Sequence, residues 1–144
     1  MKPKLDKQLC KKYPYIFRDR NASETETCMC WGFPDDGWYK LIEDICEKIV
    51  EIKKKSGIQY VADQVKEKFG GLRFTCHDDK RLLKISREVR SVYRNELRAF
   101  ISNREMESFS ICEVCGSNQG KLSKTGWIKC LCDNCLKERH TKNK

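Results

Sequence analysis

The amino-acid sequence predicts an α+β fold, and three patterns in its 144 residues support this prediction. Apolar residues recur every three or four positions in residues 38–52 and again in 80–104, as they do on one face of a helix. Between these segments, the first part of residues 58–76 leads into a glycine pair, and apolar and polar residues alternate after it. This pattern favours a β-hairpin. Four cysteines in two closely spaced pairs then follow near the end of the chain, which is typical of a small metal-binding module.

The N-terminal segment predicts a short helix that ends near Lys12, because the residue before Pro14 avoids the helical region. The aromatic stretch Tyr13–Phe17 is expected to pack on the core, and residues 21–27 are expected to form a polar loop. The turn-rich segment from Trp31 to Trp38 is expected to bury both tryptophan rings; the alternative is that it presents one of them to a partner.

The first long helix is predicted to begin after Asp35 or Asp36, since either carboxylate suits the N-cap position. Lys53–Lys55 suit the negative end of the helix dipole, and Gly57 is expected to end the helix. One face of this helix is apolar, and its residues are Trp38, Leu41, Ile42, Ile45, Cys46, Ile49 and Ile52.

The hairpin is predicted to turn at Gly70 and Gly71, whose backbones tolerate positive φ. Helical structure over 61–69 is the alternative, because Ala62 and Lys66 favour helices. The following helix is predicted to span 80–104, with Asp78 or Asp79 as its cap. Its core-facing residues are predicted to be Leu82, Ile85, Val89, Val92, Tyr93, Leu97 and Phe100.

The C-terminal cysteines predict one structural zinc ion. Each C-x-x-C pair places two thiolates on a tight turn, and four thiolates complete a tetrahedron with no position left for water. The predicted ligands are Cys112, Cys115, Cys132 and Cys135. The hairpin expected between the pairs and the helix expected from Asp133 to His140 indicate a zinc ribbon or treble-clef module over 111–144, after an α+β domain over 1–110. A redox dithiol is the main alternative.

The remaining cysteines are not expected to bind this ion. Cys130 precedes the second pair and is interpreted as a spare thiol on the hairpin, because the two-residue spacer makes Cys132 and Cys135 the natural pair. Cys46 and Cys76 are expected to be small core residues. The spacing of Cys28 and Cys30 also allows a metal or an oxidised pair, but buried or idle thiols are favoured.

The net charge of +9 favours polyanionic partners, and basic residues gather on one side of the predicted third helix. Glu88 and Glu96 are the only acidic residues on that side. The planar arginine guanidinium pairs well with phosphate or carboxylate. The predicted partner-binding or phosphate-binding residues are Lys80, Lys84, Arg87, Arg90, Arg94 and Arg98. The alternative is a solvated surface without a partner.

Several classes of function are disfavoured by the sequence. A zinc deaminase needs an H-x-E segment and a P-C-x-x-C segment, yet no proline precedes Cys112 or Cys132. A histidine-based treble-clef nuclease is also disfavoured, because the chain has only His77 and His140, and no P-loop or nucleophile elbow is present. We therefore expect no enzymatic activity. The absence of a long apolar run and of a secretory signal predicts no membrane association and a cytoplasmic location.

Four motifs in order resemble a group of uncharacterised small bacteriophage and prophage proteins. They are KYPYIF (12–17), CMCWGF followed by DGWY (28–39), QVKEKFGGLRF (64–74), and ICEVCG with GWIKCLCDNC (111–135). The resemblance covers nearly the whole chain, although the group's acidic helix before the zinc module is basic here. It supports leaving Cys130 out of the metal site and implies action in the infected bacterial cytoplasm.

These observations together predict a non-enzymatic phage-type interaction protein. It is expected to bind and inhibit or redirect a host complex that handles nucleic acid or provides anti-phage defence. The alternative is a zinc-containing regulator that contacts nucleic-acid phosphates through the basic helix.

Overall fold

The computed structural model describes residues 1–79, 84–123 and 126–142, and it shows an α+β fold. Two antiparallel hairpins are combined with four α-helices in this part of the chain. In chain order the elements are α1 (Pro3–Lys12), α2 (Tyr39–Ser56), β1 (Tyr60–Lys68), β2 (Gly71–Asp78), α3 (Arg87–Glu107), β3 (Lys121–Leu122), β4 (Cys130–Leu131) and α4 (Asp133–Lys142).

Helix α2 forms the centre of the main hydrophobic core. Its predicted apolar face is confirmed, because every one of its members from Leu41 to Ile52 is buried together with Trp38. Leu9 of α1 and Leu97 of α3 join the same cluster. Full burial of such a side chain stabilises the fold by about 1.5–3 kcal/mol, so the six buried residues of α2 contribute substantially to this core.

The end of α2 agrees with the sequence, but its start does not. Gly57 adopts a left-handed conformation with φ of 78°, and its N–H bonds to the carbonyl of Lys53. The predicted cap at Asp35 or Asp36 is wrong, because a short 3-10 helix, Asp36–Trp38, leads into α2 and makes no such bond. The Asp36 carboxylate instead accepts the backbone N–H of Lys2 at 2.7 Å.

The hairpin of β1 and β2 is confirmed, and the helical alternative for 61–69 is wrong. Tyr60 pairs with Asp78 at the open end and Lys68 with Gly71 at the turn. The turn residues are Phe69 and Gly70, both with positive φ, and Gly71 already belongs to β2.

Helix α3 begins later than predicted, at Arg87, and the expected cap at Asp78 or Asp79 is wrong. The Ser86 hydroxyl caps α3 by accepting the N–H of Val89. The predicted start at residues 80–83, including Lys80 and Leu82, lies outside the described residues. The predicted apolar face is also partly wrong: Leu97 is buried, but Val89 and Val92 are exposed.

The aromatic N-terminal segment is only partly buried. Tyr13, Ile16 and Phe17 pack in the core as expected, whereas Tyr15 is exposed. The expectation that both tryptophans of the 31–38 segment are buried is wrong for Trp31, whose side chain is 73% exposed.

The C-terminal elements form a small unit beside this core. β3 and β4 pair in antiparallel register, with Lys121 opposite Leu131, and α4 starts two residues after β4. The division of the chain at residue 110 stays a prediction. Among the described helices, none is long and apolar enough to cross a membrane.

Candidate metal centre

The first cysteine pair lies on a tight backbone turn. The N–H of Gly116 donates to the carbonyl of Cys112 at 2.9 Å, and the N–H of Cys112 donates to the carbonyl of Ser117 at 2.7 Å. Gly116 has a φ of 77°, which glycine adopts without steric cost. The turn therefore directs the thiols of Cys112 and Cys115 toward the same point.

The second pair is positioned by the junction of β4 and α4. Cys132 follows β4 directly, and Cys135 lies in the first turn of α4. The N–H of Leu136 donates to the carbonyl of Cys132 at 2.9 Å, which closes that turn. The pairing of β3 with β4 returns the chain to the first pair.

These turns bring the four predicted ligand residues together. Their sulfur atoms all lie within 4.8 Å of one another, and those of Cys115 and Cys132 are 3.7 Å apart. Four thiolates bound tetrahedrally at a zinc–sulfur distance of about 2.3 Å would be separated by about 3.8 Å. The cluster can therefore hold a metal ion with little movement of its ligands.

The environment of the cluster favours thiolate formation at one ligand. The backbone N–H of Cys135 bonds to the Cys132 sulfur and lowers the pKa of that thiol to about 7, with smaller contributions from the neighbouring thiols. Burial instead raises the pKa of Cys135. Metal binding requires deprotonated cysteines, so an ion at this position would have to displace the remaining protons.

Cys130 lies outside the cluster, as the spacing predicts. Its thiol donates to the carbonyl of Phe109 at 3.2 Å, and burial raises its pKa to about 11. Cys28 and Cys30 are also separate, and the Cys30 thiol donates to the carbonyl of Thr27. Within the described ranges, the C-terminal four form the one group of three or more potential ligands close enough to share an ion.

The cluster is joined to the main core by backbone contacts that require a glycine. The N–H of Gly37 donates to the carbonyl of Glu113 at 2.7 Å, and the Trp38 indole donates to the carbonyl of Ile111 at 2.9 Å. A Cβ atom at position 37 would lie 2.1 Å from the carbonyl oxygen of Cys112. The first cysteine turn is thus packed directly against the segment that starts α2.

A buried ion pair beside the cluster was not expected from the sequence. Glu113, between the first two cysteines, is only 2% exposed, and its carboxylate accepts a hydrogen bond from Lys129 at 3.1 Å. Lys129 also bonds to Asp35 at 3.2 Å. Burial raises the pKa of Glu113 despite the lysine. Nothing in the spacing of these residues indicates the pair, because it depends on the tertiary contact that brings Lys129 to the first cysteine turn.

The predicted basic face is divided by a buried carboxylate. Asp78 is 5% exposed and bonds to the guanidinium groups of Arg90 and Arg94. Burial raises the pKa of Asp78, but the hydrogen bonds and charge of Arg90 outweigh this effect and hold it below its usual value.

The other predicted basic residues differ from this pair. Lys84, Arg87 and Arg98 are exposed and make no side-chain hydrogen bond or ion pair with any described residue. Lys80 lies outside the described residues.

No protein-family model, curated protein or solved structure matches this chain.

Proposed function

We propose that the protein is a non-enzymatic, phage-type interaction protein that binds a host complex in the bacterial cytoplasm. It inhibits or redirects that complex, which handles nucleic acid or provides anti-phage defence. The proposal is supported most by two exposed cations on α3, Arg87 and Arg98, which have no partner among the described residues. The order of the four phage-like sequence motifs supports the phage origin.

In this proposal the four-cysteine cluster holds one structural zinc ion. Four thiolates fill a tetrahedral site and leave no position for a catalytic water. The order of cysteine turn, hairpin, cysteine turn and helix α4 is that of a zinc ribbon or treble clef. Zinc would supply folding energy for a unit too small to form a core of its own.

The cations on α3 support a partner with negative charge. Most residues in the first half of α3 are exposed, so much of its surface faces solvent. Glu96 is already paired with Lys48, whereas Arg87 and Arg98 have no partner among the described residues. Long charged side chains that make no internal contact are available for carboxylates or phosphates.

Affinity purification tests this proposal directly. The tagged, zinc-loaded protein is expressed in bacteria and should recover a stoichiometric host protein. A variant carrying Arg87→Glu and Arg98→Glu should lose that protein while retaining the wild-type melting temperature. The matched control is Lys4→Glu with Lys7→Glu, which makes the same charge change at exposed positions on α1. Recovery of no host protein, or equal recovery by both variants, would contradict the proposal.

A nucleic-acid-binding regulator is the second candidate, because Arg87 and Arg98 lie about three turns apart on the same exposed face of α3, and the exposed Lys84 precedes the helix. Three phosphate contacts predict roughly 40-fold weaker binding to duplex DNA between 50 and 200 mM salt. Fluorescence anisotropy with a labelled 20-base-pair duplex measures this dependence. A flat salt response would argue against phosphate contacts.

A further inference from the structure

A second exposed surface lies where the β1–β2 turn meets the β3–β4 hairpin. Phe69 and Trp127 are each 69% exposed there, and Ile128 and Leu122 are also exposed. Leu122 and Ile128 pack close to Gly70, where an added Cβ would lie 2.4 Å from the Leu122 side chain. Large apolar side chains gathered on a surface in this way mark interaction sites more often than isolated ones do.

This surface contains an open groove of about 480 Å³. Its walls are the end of β1, from Lys66 to Phe69, and the segment from Gly126 to Ile128. The groove is large enough for one or two apolar side chains of a partner.

The exposed Trp127 ring is held in a defined position. Its indole N–H donates to Oε2 of Glu67 at 2.9 Å, while Oε1 of the same carboxylate accepts the N–H of Gly70 at 2.7 Å. The guanidinium of Arg139 donates twice to the Trp127 carbonyl at 3.2 Å. An exposed tryptophan that is fixed before binding loses little conformational freedom when a partner packs on it.

The charges around the groove indicate the chemistry of the partner. Lys66 makes no ion pair with any described residue, and the Lys68 ammonium lies 5.6 Å from the centre of the Phe69 ring. Both are exposed, so they are available for carboxylates. Both carboxylate oxygens of Glu67 in the same wall accept hydrogen bonds from Trp127 and Gly70, so Lys66 and Lys68 carry the unpaired charge of this wall. Two cations beside the aliphatic side chain of Ile128 make a shorter charged surface than the groove that follows a nucleic-acid strand, which favours a protein segment.

We propose that this groove binds a segment of a partner protein that inserts a large apolar side chain between Phe69 and Trp127 and places acidic residues against Lys66 and Lys68. Tryptophan is enriched among residues that dominate binding energy at interfaces. The site is separate from the α3 cations: it lies at the turn end of β2, about 23 Å from the Asp78 end by strand length. It therefore does not depend on those cations.

The indole N–H signals of the full-length, zinc-loaded protein provide the test, because Trp31, Trp38 and Trp127 give one signal each. The probe is a 12-residue peptide with one central Phe flanked by Asp and Glu. We expect it to shift the Trp127 signal and leave that of the buried Trp38 unchanged. Peptides with Ala at the centre, or with Lys in place of the acids, should bind at least tenfold more weakly.

Variants separate this site from the remaining surface. Trp127→Ala should weaken peptide binding at least tenfold in fluorescence anisotropy, and Glu67→Gln should weaken it less because the ring stays but its support changes. Trp31→Ala, which removes an equally exposed tryptophan elsewhere, should bind as the wild type does. The variant with Arg87→Glu and Arg98→Glu should also bind normally, so failure of the α3 proposal would not be confused with failure of this one.

Three outcomes would overturn the proposal. They are a Trp127 signal that no peptide shifts, peptide binding that Trp127→Ala leaves unchanged, and binding of a 12-nucleotide thymidine strand at Trp127 in preference to the acidic peptide. The last would assign the groove to nucleic acid. The Trp38 signal reports that each variant remains folded.

Discussion

The N-terminal helices and hairpin differ from the four-cysteine unit in what holds them together. The former share one apolar cluster in which residues from Leu9 to Ile101 are buried. The latter has a buried cluster of only Cys112, Leu131 and Cys132 among its described residues, and two of these are candidate metal ligands. We expect a unit with so little apolar surface to depend on metal binding and on its contacts with the larger core.

The two regions nevertheless share an interface. Trp38 belongs to the large core but donates its indole N–H to Ile111, and Cys130 of β4 is buried in that core. Metal removal, a change in backbone packing and the loss of an ion pair should therefore affect the stability of the two regions differently. We expect metal removal to have the largest effect and the loss of an ion pair a smaller one.

Removal of the metal should have the largest effect. Structural zinc sites contribute roughly 10–16 kcal/mol of binding free energy, so Cys112→Ser or chelation should unfold residues 111–142. Hydrogen exchange should show loss of protection at Gly116 and Leu136, with protection retained in α2. Cys28→Ser is the control, because that exposed cysteine lies outside the cluster.

Metal analysis of the purified protein completes this test. One zinc per chain is expected. Two zinc ions per chain would contradict the assignment and point to the N-terminal pair, Cys28 and Cys30. Equal loss of protection in α2 would show that the regions are not distinct in their stability.

The second effect concerns the backbone contact at Gly37. Alanine there would place its Cβ 2.1 Å from the Cys112 carbonyl oxygen and 2.5 Å from the Gly116 nitrogen. We expect a loss of about 3 kcal/mol in urea unfolding, because backbone atoms on both sides must move. Gly126→Ala is the comparison: no atom of the described residues lies within 4 Å of its Cβ, and the φ of 69° costs about 1–2 kcal/mol. Equal losses would argue that Gly37 is not a close contact.

The third effect is smaller and electrostatic. Lys129→Met should leave the Glu113 carboxylate buried without its cation and cost about 2 kcal/mol, less than for a fully buried pair, since Lys129 is 26% exposed. Adding Glu113→Gln should restore part of the loss. A double variant less stable than Lys129→Met alone would contradict this explanation. Chemical denaturation of the zinc-loaded wild type, the single variant and the double variant measures their free energies of unfolding.

The hairpin and the metal cluster could be predicted from the sequence because each depends on local pattern. A short stretch of sequence is enough to recognise the Gly70 turn, the apolar face of α2 and the two C-x-x-C spacings. The orientation of α3 could not be predicted from the sequence, because it is set by tertiary contacts. The side of α3 that carries Leu97 and Ile101 also carries Arg90, and Arg90 bonds to Asp78 of β2. A helical period locates a stripe of apolar residues but does not reveal a buried ion pair within it.

The smallest effect should be the pH dependence that arises from Asp78. A carboxyl group whose pKa is lower in the folded chain than in the unfolded chain stabilises the fold when the pH is above its unfolded-state pKa. That contribution is lost as the pH falls through its folded-state pKa. Asp78→Asn should therefore be less stable at neutral pH by about 1 kcal/mol, and its difference from the wild type should shrink below about pH 4.

Thermal unfolding of both proteins across this pH range provides the measurement. The difference between them is the quantity of interest, because protonation of the cysteine ligands lowers the stability of both. A difference that stays constant or grows at low pH would contradict the role assigned to Arg90. Asp19→Asn, at a more exposed position, is the control.

The outer edge of β2 has a consequence for the behaviour of the protein in solution. A two-stranded sheet leaves backbone N–H groups free to pair with another chain. Here the N–H of Leu72 donates to the Ser108 hydroxyl and that of Phe74 to the Glu105 carboxylate, each at 2.9 Å. The side chains of Glu105 and Ser108 thus occupy two of the positions that a neighbouring strand would take, so a second chain cannot pair with this part of the edge without displacing them.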